Sequence, residues 1–294
     1  MLKKFLHGLA FGAGFAVAII VVMVMFVSDW GVTTWFAPGE RGVVSSGPEV
    51  DAPPALSEAR RFLGSAGIYS GDSDAFRRGG TLAAGPGKIV GKVTSNGAPV
   101  AGLTLRLALN GSVMSAWVTS DEQGTYTVDV PFGRYRIDGY ELEMDSANRV
   151  LPGKVDRPLR AFSFDESEFE VSQELAGEGL TLAYVDPVEI LGPTGTISSR
   201  DRVALTWAPY PNAERYRVQL FETQRADDYA SRESVFGWRA RPEVTGTSFD
   251  LAANGVTLKN GYSYAIEIEA RDAAGRALAS SAPRYRHVDF RVVD

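Results

Sequence analysis

The sequence predicts an all-β fold: two consecutive antiparallel β-sandwich domains behind one N-terminal transmembrane helix. Three observations lead there. An uncharged apolar run near the start is long enough to span a bilayer. From Lys88 onward, apolar residues recur at every second position in short runs. Turn residues punctuate those runs, and no sustained helical period intervenes. With 294 residues, 45% hydrophobic and 22% charged, the chain has the composition of a globular protein with room for about two domains.

Residues 1–4 carry Lys3 and Lys4, and the apolar run extends from Phe5 to Val27 with His7 its only titratable residue. As a helix, residues 5–27 span roughly 34 Å at about 1.5 Å per residue, against a hydrocarbon core of about 30 Å. Trp30 and Trp35 follow as candidate interfacial aromatics, and the paired lysines favour a cytoplasmic N-terminus. The rival reading is a cleaved secretory signal, but the run is longer than a signal's apolar core and Val27-Ser28-Asp29 is a poor cleavage site. Either way the rest of the chain is exported, to the periplasm or the extracellular space. Gly8, Gly12 and Ala16 fall on one helix face at four-residue spacing. Small residues so placed let two helix backbones approach, which makes this face a candidate contact for another membrane helix; glycine is also common in membrane helices without that role.

Residues 28–86 are rich in Gly, Pro, Ser and Ala and read as a flexible linker. Within it, 56–63 is a candidate short helix with Leu56, Ala59, Phe62 and Leu63 on one face. Phe62 and Leu63 would pack on a neighbouring domain or dock a partner.

The first sandwich is expected over 87–185. Ile89 to Val93 forms a strand, and Asn96-Gly97 supplies a hairpin turn. Leu103, Leu105, Leu107 and Leu109 alternate with Thr104, Arg106 and Ala108, the pattern of a half-buried strand. Ser115 to Thr119, Tyr126 to Val130 and Tyr135 to Ile137 follow, and Leu180 to Tyr184 adds a later strand. Gly97-Ala-Pro-Val-Ala-Gly102, the turn Asp121 to Gly124 before Tyr126, and Pro131-Phe-Gly-Arg-Tyr135 together resemble the carboxypeptidase regulatory-like domain over about 87–144. The resemblance implies a transthyretin-like β-sandwich. Trp117 lies in one of the strands; core or partial core is its expected place, and stacking on a sugar ring is the alternative.

The second sandwich is expected over 186–294. Trp207 closes the strand Val203 to Trp207, Tyr216, Val218 and Leu220 alternate cleanly, and Leu258, Gly261 and Tyr264 precede a strand through Ala270. These residues resemble a fibronectin type III domain. In that family's tyrosine corner the Tyr264 hydroxyl would bond to backbone upstream and pin the loop. The stretch Glu222 to Gly246 is longer and more polar than that module needs. Its Tyr229, Phe236 and Trp238 are either core or an exposed ledge.

Candidates for chemistry are few. Cysteine is absent and only two histidines occur, His7 in the apolar run and His287 on the outward face expected for the last strand, Tyr285 to Val293. Zinc sites and Ser-His or Cys-His pairs therefore have little material. Asp72 and Asp74 lack the further acidic residues of a calcium loop, and the run around Glu166, Glu168 and Glu170 reads as a solvated edge. A net charge of −6 argues against nucleic acid, whose phosphates need a basic surface. The resulting expectation is a non-enzymatic protein without cofactor or metal, held in the lipid bilayer. Its sandwiches would serve another membrane or envelope protein. The alternative is a carbohydrate or cell-wall binding protein using exposed Trp117 or Trp238.

Overall fold

The computed structural model describes residues 61–158, 168–225, 231–237, 240–281 and 288–294, all within one compact unit, Ala52–Asp294. The apolar run 5–27, with Gly8, Gly12 and Ala16, lies outside the described residues. Among the described residues no helix is long and apolar enough to cross a membrane.

Two separate hydrophobic cores form. The first lies between two sheets. One sheet has the order β1-β9-β4-β5, with β6 also on β4. Its strands are β1 (Gly67–Tyr69), β4 (Thr104–Leu109), β5 (Val113–Met114), β6 (Val118–Thr119) and β9 (Ile137–Leu142). The other has the order β10-β12-β2-β3, with β7 also on β2. It is built from β2 (Gly87–Ser95), β3 (Ala98–Pro99), β7 (Thr125–Val130), β10 (Val155–Asp156) and β12 (Gly177–Val185). A small pair, β8 (Gly133–Tyr135) with β11 (Phe169–Val171), closes one end.

Local sequence explains the pairing. The β2–β3 hairpin turns on Asn96 and Gly97, both at positive φ (50° and 83°), the two-residue turn whose twist matches the flanking strands. Leu103, Leu105, Leu107 and Leu109 are fully buried, so the alternation in β4 sets which face meets the core. β9 approaches β1 at Gly139, where a side chain would collide with the Ile68 carbonyl oxygen. One feature departs from the antiparallel expectation: β12 runs parallel to β2. The chain leaves β9 through the helix α2 (Met144–Val150) and crosses to the opposite sheet at β10. It then lays Leu182 and Tyr184 beside the β2 core residues in β2's own direction.

The linker reading does not hold for residues 61–86. Arg61 to Leu82 is part of the first sandwich. Phe62 is buried at 5% exposure, with its ring edge-on to Tyr184 at 5.4 Å. Its backbone N–H donates to Asn148 Oδ1 at 2.8 Å, and Leu63 N–H donates to the Lys154 carbonyl at 2.9 Å. Residues 61–63 are not helical: the Phe62 and Leu63 N–H groups go to the Asn148 side chain on α2 and to Lys154 in the loop after it. The chain then forms β1 on the edge of the first sheet, and next the helix α1 (Ser73–Gly79). Asp72 caps α1 by accepting from Asp74 N–H at 2.9 Å, which accounts for that acidic pair without a cation. Low hydrophobicity and many glycines hid this arm; two buried phenylalanines, Phe62 and Phe76, and edge-strand hydrogen bonds hold it.

The second core lies between the sheet β13-β15-β19 and a larger one ordered β14-β22-β20-β16-β17, with β18 on β16 and β21 on β20. Its strands are β13 (Ile190–Gly192), β14 (Gly195–Ser198), β15 (Ala204–Trp207), β16 (Arg215–Thr223), β17 (Glu233–Ser234), β18 (Glu243–Val244), β19 (Ser248–Asp250), β20 (Ser263–Arg271), β21 (Ala277–Ser280) and β22 (Phe290–Val293). Here too one pair, β14 with β22, is parallel. Trp207 and Tyr216 are buried with ring centroids 5.5 Å apart. The Tyr264 hydroxyl accepts the Lys259 N–H at 2.8 Å, five residues upstream, as the corner reading expects.

Candidate binding surface

The outward face of the first sheet is built by register. β4 and β9 pair Arg106 with Glu141 and Ala108 with Gly139. β6 pairs Thr119 with Thr104 and Val118 with Leu105. Because Leu105 and Val118 point to the core, the residue before Val118 falls on the outward side, opposite Arg106. That residue is Trp117.

Of the core or partial-core placement expected for Trp117, full burial is therefore corrected. The run Ser115 to Thr119 is not one continuous strand: between β5 and β6 the Ser115 hydroxyl accepts the Leu107 N–H at 2.9 Å, in place of a strand partner. Beyond this kink Val118 takes the inward position, and Trp117 emerges 43% exposed. Strand alternation around Trp117 already carried this signal, since Val118 is the better match to the apolar Leu105 side.

The indole is held from one side. The Arg106 guanidinium lies 4.5 Å from its ring centroid, a cation–π contact. Arg106 is in turn fixed by Glu141, with Nε and Nη2 donating to Oε2 at 2.8 and 2.5 Å. Both partners are about three-quarters buried, so the pair is a shaped element of the face and not a loose surface contact. Tyr69 on β1 stands beside Glu141, and burial, followed by the nearby carboxylate, pushes its hydroxyl pKa up to about 12. Thr104 and Thr119 hydroxyls meet at 3.0 Å beside this group.

The same face is divided in two. Over one half α1 places Phe76, 1% exposed, against Ala108, Met114 and Tyr69, with the Tyr69 and Phe76 rings stacked at 5.6 Å. The half bearing Thr104, Arg106, Trp117 and Thr119 holds the exposed indole.

Other sequence candidates fare differently. Phe62 belongs to the core and Leu63 is partly buried against the same segment, so neither is a free docking residue. Trp238, Tyr229 and His287 lie outside the described residues. Phe236 packs edge-on against Phe249 at 5.6 Å and joins the second core. Among the described residues no group of three or more His, Asp or Glu is placed to hold a metal ion.

Sequence reasoning also missed a half-buried carboxylate. Asp156 on β10 accepts the Ser65 N–H at 2.7 Å and the Tyr140 hydroxyl at 3.2 Å. Burial raises its pKa above the usual carboxylate value, outweighing those hydrogen bonds. Burial also holds the Tyr140 and Tyr184 hydroxyls well above theirs. This cluster anchors the arm. The only prior signal was an isolated Asp after a turn.

No protein-family profile matches the chain, and no curated protein is similar to it. Among solved structures the chain is similar to a DUF3823 family protein from Parabacteroides merdae ATCC 43184, at 14% identity, covering 68% of this chain and 98% of that one, with a TM-score of 0.20. A DUF3823 family protein from Bacteroides ovatus ATCC 8483 matches at 11% identity, covering 68% and 96%, with a TM-score of 0.22. The Bacillus anthracis TIE protein matches at 11% identity, covering 70% of this chain and 32% of that one, with a TM-score of 0.26. These likenesses are too remote to assign a family or to carry an argument about the site.

Proposed function

We propose that this chain is a non-enzymatic binding protein, tethered to a membrane by residues 5–27, that displays two β-sandwich modules outside the cytoplasm as part of an envelope assembly. We read the modules as carboxypeptidase regulatory-like and fibronectin type III-like. The Asn96-Gly97 hairpin and the Tyr264 corner support that reading. The helix face of Gly8, Gly12 and Ala16 engages another membrane protein, and the Trp117 face of the first module engages a component of the envelope or cell surface.

One observation carries this reading: Trp117 is 43% exposed on a strand-borne platform whose Arg106 and Glu141 are already locked together. An aromatic held rigidly loses little conformational freedom on binding, which is what makes such residues effective anchors. The test is photo-crosslinking from position 117 in the full-length protein in its native membranes, with position 88 as control. Lys88 lies exposed on the outer face of the opposite sheet. Adducts from 117 and not from 88, together with carbonate-resistant membrane association and protease access from outside, support the reading. Equal adduct yield from both positions, or modules protected from external protease, would overturn it.

A further inference from the structure

We propose that the Trp117 platform is a saccharide-binding subsite for a neutral pyranose chain; this rests on reading that face as the binding surface. Three properties of the face select this chemistry. First, Arg106 occupies one side of the indole and the ring is 43% exposed, which suits stacking against the C–H face of a sugar ring.

Second, the polar groups beside the ring are internally neutral. Arg106 and Glu141 cancel each other's charge at 2.5 Å. An anionic or cationic ligand would have to strip water from this pair without a net opposite charge to meet. A neutral polyol meets no such penalty, since each of its hydroxyls both donates and accepts.

Third, donors and acceptors alternate across the face. A guanidinium has five N–H donors, of which the Glu141 pair uses two. A carboxylate accepts about four hydrogen bonds, and Glu141 receives those two, both on Oε2. The Thr104 and Thr119 hydroxyls, 3.0 Å apart, complete a rim that can serve vicinal sugar hydroxyls. Trp117 lies between β5 and β6, the segment that borders β4 at the edge of the sheet, and its indole extends over the Arg106 side of that sheet.

The experiment uses the full-length protein in detergent and titrates it with cellohexaose, chitohexaose, maltohexaose and mannohexaose. A sulfated heparin hexasaccharide is the charged control. Binding is read by calorimetry. At least one neutral hexasaccharide should saturate the protein, W117A should weaken it by about tenfold or more, and W117F should recover part of the loss. T104V, which keeps the residue's shape, should weaken binding by a few-fold, roughly the cost of one hydrogen bond. Because Trp117 is exposed, W117A should unfold at the parent temperature, which separates lost binding from lost fold.

The inference is overturned if no neutral hexasaccharide binds at millimolar concentration, if W117A binds as well as the parent, or if only the sulfated control binds. Position-117 crosslinking distinguishes the two levels. Adducts to a protein from position 117 and not from 88, without sugar binding, would sink the saccharide inference and keep the binding surface. Loss of both would remove both.

Discussion

Replacing Phe62 by alanine tests whether the segment before β2 is part of the fold or a tether. Phe62 is 5% exposed, and its ring meets Tyr184 edge-on at 5.4 Å within the first core. Removing a buried phenylalanine side chain costs about 3–5 kcal/mol, a transfer term plus the cavity left behind. Phe62 sits at the start of a docked arm, where neighbours can relax into the space, so the lower end, about 3 kcal/mol, applies. For a module of this size that lowers the unfolding midpoint by roughly 10–15 °C. The perturbation should also loosen the backbone bonds that follow Phe62, namely Leu63 to Lys154, Ser65 to Asp156 and the β1–β9 ladder. Calorimetry on the full-length protein in detergent reads the first effect, with the second module's transition as internal control. Hydrogen exchange over 63–69 reads the other. A variant that unfolds within about 2 °C of the parent, with unchanged protection over 63–69, would refute the docked arm, since no deeply buried phenylalanine is that dispensable.

Three further outcomes are expected. Asp156→Asn keeps an acceptor for the Ser65 N–H, turns its amide N–H toward the Tyr140 oxygen, which can accept, and removes a half-buried charge. A folded-state pKa above the unfolded value means that this group's stabilisation is full below the unfolded pKa of about 3.9 and is lost as pH rises through the raised folded value. The variant should therefore melt above the parent at pH 7 and converge with it near pH 3 to 4; a variant less stable than the parent at pH 7 would contradict this sign. Tyr264→Phe removes the acceptor of the Lys259 N–H and should cost about 1 kcal/mol, seen as a lower midpoint for the second module only. Replacing Gly8 and Gly12 by leucine should abolish membrane-domain association in a cross-linking assay, because the added side chains hold two helix backbones apart; unchanged association would remove that contact.

What the sequence disclosed depended on whether a structure was carried by pattern or by a few long-range contacts. Leu103 and the three leucines of β4 name their inward face by alternation, and every one is fully buried. Asn96-Gly97 and the Leu258–Tyr264 corner are local motifs whose geometry depends on residues a few positions away, and both appear as read. The arm from Arg61 to Leu82 has no such local signature. Its β1 has three residues and pairs with a strand some seventy positions later, while Phe62 reaches Tyr184 across the whole module. Composition alone therefore made it look like linker. The parallel placement of β12 was hidden for the same reason: alternation tells which side faces the core but not in which direction the partner runs.

Trp117 shows how these two levels combine at the candidate site. Its identity, a large aromatic in a β-rich stretch, favours burial, and that weight misleads. Its position, one residue before the inward Val118, places it outside. The arm then determines what surrounds it. Once β1 pairs with β9, Tyr69 reaches Glu141, and α1 settles Phe76 over Ala108 and Met114. The apolar half of the sheet's outer face is thereby covered by the protein's own helix. The half carrying Arg106, Glu141 and the two threonines keeps its exposed indole. A stretch that resembles a tether thus shapes the surface it seems merely to suspend. Undocking the arm would loosen Tyr69 from Glu141 as well as destabilise the core. The Phe62 variant should therefore weaken ligand capture at Trp117, although Phe62 lies in the core against Tyr184 and Trp117 on the outer side of the first sheet.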